Sequence, residues 1–392
     1  MLSRFTLSEI KAETRELLKL GIPLAIAELS GVLMSLIGTA MLGSTGATAV
    51  AAVGIGRPVY LFAALIGIGG VILTAPLVAA ANEKKDFVSV KRLLYIGGVV
   101  AIGLSVLLSG LLIFLIYHFD FLKQPPEVAA LAVPFLWAML PSLFPFLLYL
   151  HLVHFTDGLS LTKVGMVLSI SALCLDIVLN WAFIFGRLGA PCLGVVGVGV
   201  ATCISQGLLV VAMLIYIYRH PVFTAIHAEE VDWADKWTHL LEFCRLSLPV
   251  GFQIWIEFLA YAIAAALIGQ LGKYPLAAHQ VAIGLATSSF MLLLAIGSAG
   301  SIRVGQAVGA QDSTRGALSG AVAICVAVCL VSVSALAFFT FPADLVRLFV
   351  DDPDVLKLAV PLLFIAAIFQ FFDAVQCVSV ALLRGKIGRA HV

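Results

Sequence analysis

Ten apolar runs, each long enough to cross a bilayer, dominate the chain and limit what it can become. A spanning helix needs about 20 mostly apolar residues. Runs of that kind lie at 17–42, 51–81, 92–117, 130–155, 164–186, 194–218, 240–269, 276–306, 316–341 and 357–384. The expected fold is an all-α polytopic membrane protein. Several runs are longer than the hydrocarbon core requires, so they must tilt, kink or extend past the lipid. Pro23, Pro58, Pro76, Pro141, Pro145 and Pro249 lie inside them, where neighbouring membrane helices tolerate kinks.

Composition agrees. Hydrophobic residues make up 62% of the 392, and Asp, Glu, Lys and Arg only 11%, against about 25% charged in a soluble domain. Such a chain cannot cover a water-facing surface, which excludes a soluble enzyme, a disordered protein and a nucleic-acid binder. The seven cysteines are scattered and odd in number, so no disulfide framework is expected. Cys325 and Cys329 share a helix face but have no His or acid nearby, so no metal site is expected. Residues 1–15 are polar and amphipathic, unlike a cleavable signal peptide, and read as an interfacial segment. With a cytoplasmic N-terminus, 16 of the 23 Lys and Arg fall on the cytoplasmic side. Six fall opposite: Arg57, Lys123, Arg187, Lys273, Arg347 and Lys357. That bias supports the assignment. His151 and His154 read as interfacial. Arg303, with Gly305 and Gly309, reads as a cytoplasmic hinge and anchor.

The sequence also repeats. Shifted by 226 positions, Pro23 falls on Pro249, Gly43 on Gly269, Gly46 on Gly272 and Ala51-Ala52 on Ala277-Ala278. Val78 then falls on Val304, Ala81 on Ala307 and Asp86 on Asp312. The shift covers six helices, an even number, so the repeats are parallel. That architecture is typical of secondary transporters with substrate between the halves. The expected organisation is an interfacial segment at 1–15, a six-helix lobe at 16–218, a cytoplasmic linker at 219–239 and a second lobe at 240–386. An acidic external loop is expected at 342–356. Two full repeats would bring the helix count to twelve, so ten of an expected twelve are read here. Residues 387–392 read as the translation of a sequencing adapter.

Several segments resemble one transporter family. They are Phe155-Thr-Asp-Gly-Leu-Ser-Leu-Thr-Lys163, Leu179-Asn-Trp-Ala-Phe-Ile-Phe-Gly186 with Gly189-Ala-Pro191, and Ala277-Ala-His-Gln-Val281. Others are Ser301-Ile-Arg-Val-Gly305 with Gly309, and Phe372-Asp-Ala-Val-Gln376 running to Leu383-Arg-Gly385. Over residues 15–386 the chain resembles the multidrug and toxic compound extrusion transporters, in their NorM-type bacterial branch. The resemblance implies two six-helix lobes and cation-driven export of amphipathic, often cationic, compounds.

Charges inside the spans are functional candidates, because a charge at mid-bilayer is costly unless paired or wetted. Asp373 has no Lys or Arg within a helical turn. Protonation or a bound monovalent cation would make it tolerable. The resemblance makes Asp373 a coupling-cation ligand and Glu257 the acid that works with it. Gln253, one turn before Glu257, would add an oxygen ligand. In the first lobe, the position at which the family usually carries Asp is Gly38, followed by Thr39. A polar site built from Asp176, Asn180 and Glu28 is expected to compensate, with a snorkelling role left open for Glu28. His279 is a gating candidate beside a structural role at a helix end. Phe144, Phe146, Trp255, Phe258, Phe290 and Phe369 are candidate drug contacts through cation–π stacking, with packing or lipid exposure the alternative for each.

The resulting expectation is a non-enzymatic, monomeric antiporter of the bacterial inner membrane. It would exchange Na+ or H+ for organic cations by alternating access, with no cofactor beyond the coupling ion. Alternatives are a flippase for a lipid-linked metabolite, which would favour a basic cavity, and a non-functional fragment of the transporter. An intramembrane enzyme is disfavoured, since no His-Glu-x-x-His or Gly-x-Ser-x-Gly motif occurs.

Overall fold

The computed structural model describes residues 5–350 and 352–387, so most of the expected adapter-derived tail lies outside the described residues. Helix is the regular structure throughout them. The elements are α1 (Leu7–Gly43), α2 (Ala47–Ile72), α3 (Thr74–Glu83), α4 (Phe87–Tyr117), α5 (Pro126–Met139), α6 (Leu143–Gly158) and α7 (Thr162–Phe185). They continue with α8 (Val195–Arg219), α9 (Thr224–Ala228), α10 (Lys236–Gly269), α11 (Lys273–Gly309), α12 (Ser313–Thr340), α13 (Pro342–Arg347) and α14 (Pro353–Lys386). Among the described residues, ten helical stretches are long and apolar enough to cross a membrane.

Two of those stretches are broken, each beside a proline. Pro76 has no N–H for the carbonyl of Ile72, and the helix is interrupted at Leu73 between α2 and α3. Pro141 sits in a 3-10 turn, Leu140–Ser142, that separates α5 from α6. Pro23, Pro58 and Pro249 stay within continuous helices.

The 226-residue repeat reappears as repeated backbone devices. Gly46 and Gly272 precede α2 and α11 with φ of 125° and 119°, a conformation that L side chains rarely adopt. Asp86 caps α4 by accepting from the Ser89 amide at 3.0 Å, and Asp312 caps α12 by accepting from the Arg315 amide at 2.9 Å. A Cβ on Gly158 would lie 2.5 Å from the Ala75 carbonyl oxygen and 2.7 Å from Val78. A Cβ on Gly385 would lie 2.6 Å from the Ser301 carbonyl oxygen and 3.0 Å from Val304. Each glycine lets one helix rest on another's backbone, at equivalent places.

The chain separates into two compact units, whose boundaries differ from those of the sequence lobes. One is Leu29–Trp255; the other combines residues up to Glu28 with those from Ile256 onward. The division falls inside α1 and α10, so the first part of each repeat's opening helix belongs with the other repeat. In Leu29–Trp255 the core has two clusters, around Phe135, Leu136 and Ile184, and around Phe155, Met213 and Phe223. In the other unit the core gathers Ala278, Val281, Phe338, Leu363 and Ala367.

Three local expectations change. Residues 7–15 are the opening turns of α1, continuous with the first span rather than a separate interfacial segment. Their Glu13 is buried. It accepts from Arg303 Nε at 2.8 Å, from Arg303 Nη2 at 2.5 Å and from Ser319 Oγ at 2.7 Å. Arg303 also donates to Gln306 Oε1 at 2.8 Å. The anchoring role expected of Arg303 thus has a defined partner on α1. His151 is buried rather than interfacial. Its Nε2 donates to the Leu94 carbonyl at 2.9 Å, which leaves Nδ1 to accept from Thr74 Oγ1 at 3.2 Å, so it joins α6 to α4 and to the α2–α3 break. Within 219–239, a 3-10 turn (Pro221–Phe223) and α9 are docked. Phe223 is buried, and Lys91 Nζ donates to the carbonyls of His227 at 2.9 Å and Glu229 at 2.6 Å.

Two stability experiments follow. Gly158→Ala and Gly385→Ala should each destabilise the fold by about 1–3 kcal/mol, because the obstacle is backbone that cannot rotate away. Gly103→Ala, whose Cβ would meet nothing within 4 Å, is the neutral control in the same thermal unfolding assay. Removing one partner of the buried Glu13–Arg303 pair, as in Arg303→Met, should cost about 3–5 kcal/mol, and the double variant Glu13→Leu/Arg303→Met should cost less.

Candidate functional site

Two groups of polar side chains stand inside the apolar helices, one in each compact unit. The first lies on α10 and α14. Glu257 is exposed and Asp373 half-buried, and their charges act on each other and on the Tyr261 hydroxyl. Gln376, one turn after Asp373, donates from Nε2 to Glu257 Oε1 at 3.3 Å. One turn before Asp373, buried Gln370 accepts from Ser334 Oγ at 2.6 Å and leaves its Nε2 without a hydrogen-bond partner among the described residues. Two like charges brought together in an apolar setting form a site whose energy falls when a cation or proton arrives. The oxygen donors suit a hard cation. Glu257 and Asp373 thus belong to one polar group of the second unit. Gln253 lies one turn before Glu257 on α10 but is grouped with Leu29–Trp255. Sequence reasoning passes over Gln370 and Gln376, because neutral amides in apolar runs give little signal.

The second group lies on α1, α2, α7 and α8, within Leu29–Trp255. Asp176 is 2% exposed and Asn180 1%. Asn180 Nδ2 donates to the Asp176 carbonyl at 2.9 Å and to its Oδ2 at 2.6 Å. Ser205 Oγ donates to Asp176 Oδ1 at 3.4 Å. The i,i+4 spacing on α7 places the acid and amide on one face, as the sequence indicates.

Arg57 is the residue that sequence reasoning misplaces. Its position in the chain groups it with the external basic residues, yet it lies well inside α2 and is half-buried. Its Nη1 donates to Ser35 Oγ on α1, and its charge interacts with that of Asp176. The signal available is its place eleven residues into α2, within an apolar run. Glu28 is grouped with the other unit, so the cluster here consists of Arg57, Asp176, Asn180 and Ser205 with Ser35.

The remaining candidates are dispersed. His279 is half-buried in the second turn of α11. Phe144 is exposed, and Phe146 packs against the core of Leu29–Trp255. Trp255 meets Phe62 with ring centroids 5.0 Å apart, and its buried Nε1 has no hydrogen-bond partner among the described residues. Phe258, Phe290 and Phe369 belong to the other unit, where Phe369 is exposed and the other two are half-buried. Among the described residues no group of three or more His, Cys, Asp or Glu could hold a metal ion.

Comparison with known proteins adds a separate line. The MatE family model matches residues 23–182 and again 249–390, two matches that begin 226 positions apart. The multidrug resistance protein NorM of Photobacterium profundum is 34% identical over 377 residues, which cover 96% of this chain and 82% of that protein. The multidrug resistance protein MdtK of Yersinia pseudotuberculosis is 33% identical over 378 residues, covering 95% of this chain and 82% of that one. Among solved structures, the eukaryotic MATE transporter AtDTX14 superposes with a TM-score of 0.85 at 21% identity, over 97% of this chain and 85% of that one. The Vibrio cholerae MATE transporter VcmN in its bent form also gives 0.85, at 19% identity, over 98% and 86%. At those identities the structural likeness concerns the fold.

The Asp176 cluster makes a prediction of its own. Asp176→Ala should destabilise the protein by about 1–3 kcal/mol, since the Asn180 and Ser205 donors lose their acceptor while remaining buried. Asp176→Asn keeps an acceptor and should cost less in the same thermal unfolding assay.

Proposed function

The chain belongs to the MATE family, with multidrug resistance proteins of the NorM and MdtK type as relatives, and from that premise we propose that it is a cation-coupled antiporter. It is a multi-pass membrane protein and a multidrug efflux transporter of that family. The proposed substrates are amphipathic organic cations, exchanged for Na+ or H+ across the bacterial inner membrane, with the N-terminus cytoplasmic and a single chain as the working unit.

The observation that carries this reading is the Glu257–Asp373 pair. Like charges held together in apolar surroundings favour uptake of a proton or a monovalent cation. A bound ion shifts the balance between inward- and outward-open states only through its different affinity for them. Occupation of the pair by cation or by drug, each excluding the other, would supply that difference. The aromatic side chains Phe258, Phe290 and Phe369 of the same unit are the proposed contacts for cationic ring systems. Asp176 and Asn180 form a polar site of the other unit.

The test is ethidium efflux from proteoliposomes under an imposed Na+ or pH gradient. Asp373→Asn and Glu257→Gln should each abolish gradient-driven efflux while the protein remains folded. Retained Na+- or H+-driven efflux in Asp373→Asn would overturn the coupling role.

A further inference from the structure

The unit Leu29–Trp255 contains a buried acid on which the charge of one of the chain's own cations acts. Asp176 is buried and must be compensated, since an isolated carboxylate in apolar surroundings is costly. Asn180 and Ser205 supply hydrogen bonds but no charge. The charge interacting with Asp176 is that of Arg57. A guanidinium does not give up its proton in a protein, so this cation is permanent.

Gly38 makes room for it. A Cβ at position 38 would lie 3.6 Å from Arg57 Nη2, 3.9 Å from Asn180 Nδ2 and 4.0 Å from Val198. The guanidinium thus ends where a longer side chain at position 38 would project. On its other side it is held by Ser35 Oγ. The cluster holds oxygens of the kind a small monovalent cation takes: the Asp176 carboxylate, Ser205 Oγ, and Asn180 Oδ1, which is buried and has no hydrogen-bond partner among the described residues.

We infer that Arg57, lodged in the space left by Gly38 beside Asn180, is a tethered cation that neutralises the Asp176–Asn180–Ser205 cluster and prevents it from taking up an exchangeable Na+. With Arg57 in place the cluster is neutral, and an added Na+ would leave a net positive charge inside the bilayer. This rests on the reading of Asp176 and Asn180 as a polar site. It does not rest on transport, and the experiment below reads ion binding alone, so its failure is distinguishable from a failure of ethidium efflux.

The experiment measures equilibrium binding of radiolabelled Na+ to the purified full chain carrying Glu257→Gln and Asp373→Asn, which removes the two acids of the proposed coupling site. In that background no saturable Na+ binding is expected. Adding Arg57→Met should create stoichiometric binding that a further Asp176→Asn abolishes. Arg57→Lys, which keeps the charge, should create none. Gly38→Asp is a second route that leaves Arg57 in place. It makes the cluster net negative and should also create Na+ binding, and its Cβ has ordinary contact distances. Saturable binding in the background that Asp176→Asn removes would overturn the inference. So would the absence of binding in monodisperse Arg57→Met or Gly38→Asp protein.

Discussion

A carboxylate inside an apolar bundle can be stabilised by a fixed counter-charge, by hydrogen-bond donors, or by a proton or cation taken from water. This chain uses the first two, and the coupling pair proposed above would use the third. Glu13 has the fixed counter-charge of Arg303, reinforced by Ser319. Asp176 has donors from Asn180 and Ser205, with Arg57 supplying charge. The charge of Glu257 acts on Asp373, and Gln376, one turn after Asp373, donates to Glu257. The arrangement that suits a structural tie is therefore at Glu13, and the arrangement that suits exchange is on α10 and α14.

The repeat separates scaffold from chemistry. Backbone devices recur at an offset of 226: the left-handed glycines Gly46 and Gly272, the capping aspartates Asp86 and Asp312, and the valines Val78 and Val304 that face Gly158 and Gly385. The charged groups inside the spans do not recur. The position matching Glu257 is Gly31, that matching Arg57 is Ile283, and that matching Arg303 is Leu77. Packing of helix on helix imposes the same small residues on both repeats. Ionisable groups are not required by packing, so each repeat carries its own set.

This explains what could be read from the sequence. Span number, caps and repeat depend on local pattern, and all ten spans reappear, the first lengthened at its start by the polar turns of α1. Glu257 and Asp373 could be found because a charge in an apolar run is conspicuous. Arg57 is equally conspicuous, but its nearness to a helix start makes it resemble an external anchor. What decides its role is Ser35, Gly38 and Asp176, and the last is more than a hundred positions away. Glu13 and Arg303 are 290 positions apart, and neither betrays the other in sequence. His151 has the same problem, with partners on two other helices.

A coupling site must have something to gain from the ion it exchanges. Linkage requires that the ion bind the two states with different affinity. A cluster already neutralised by its own chain offers a mobile cation little, in either state. On the inference above, Arg57 does more than balance Asp176: it withdraws that acid from exchange with a mobile cation. On this argument the charge carried per cycle depends on how each acid is compensated rather than on how many acids the membrane helices contain.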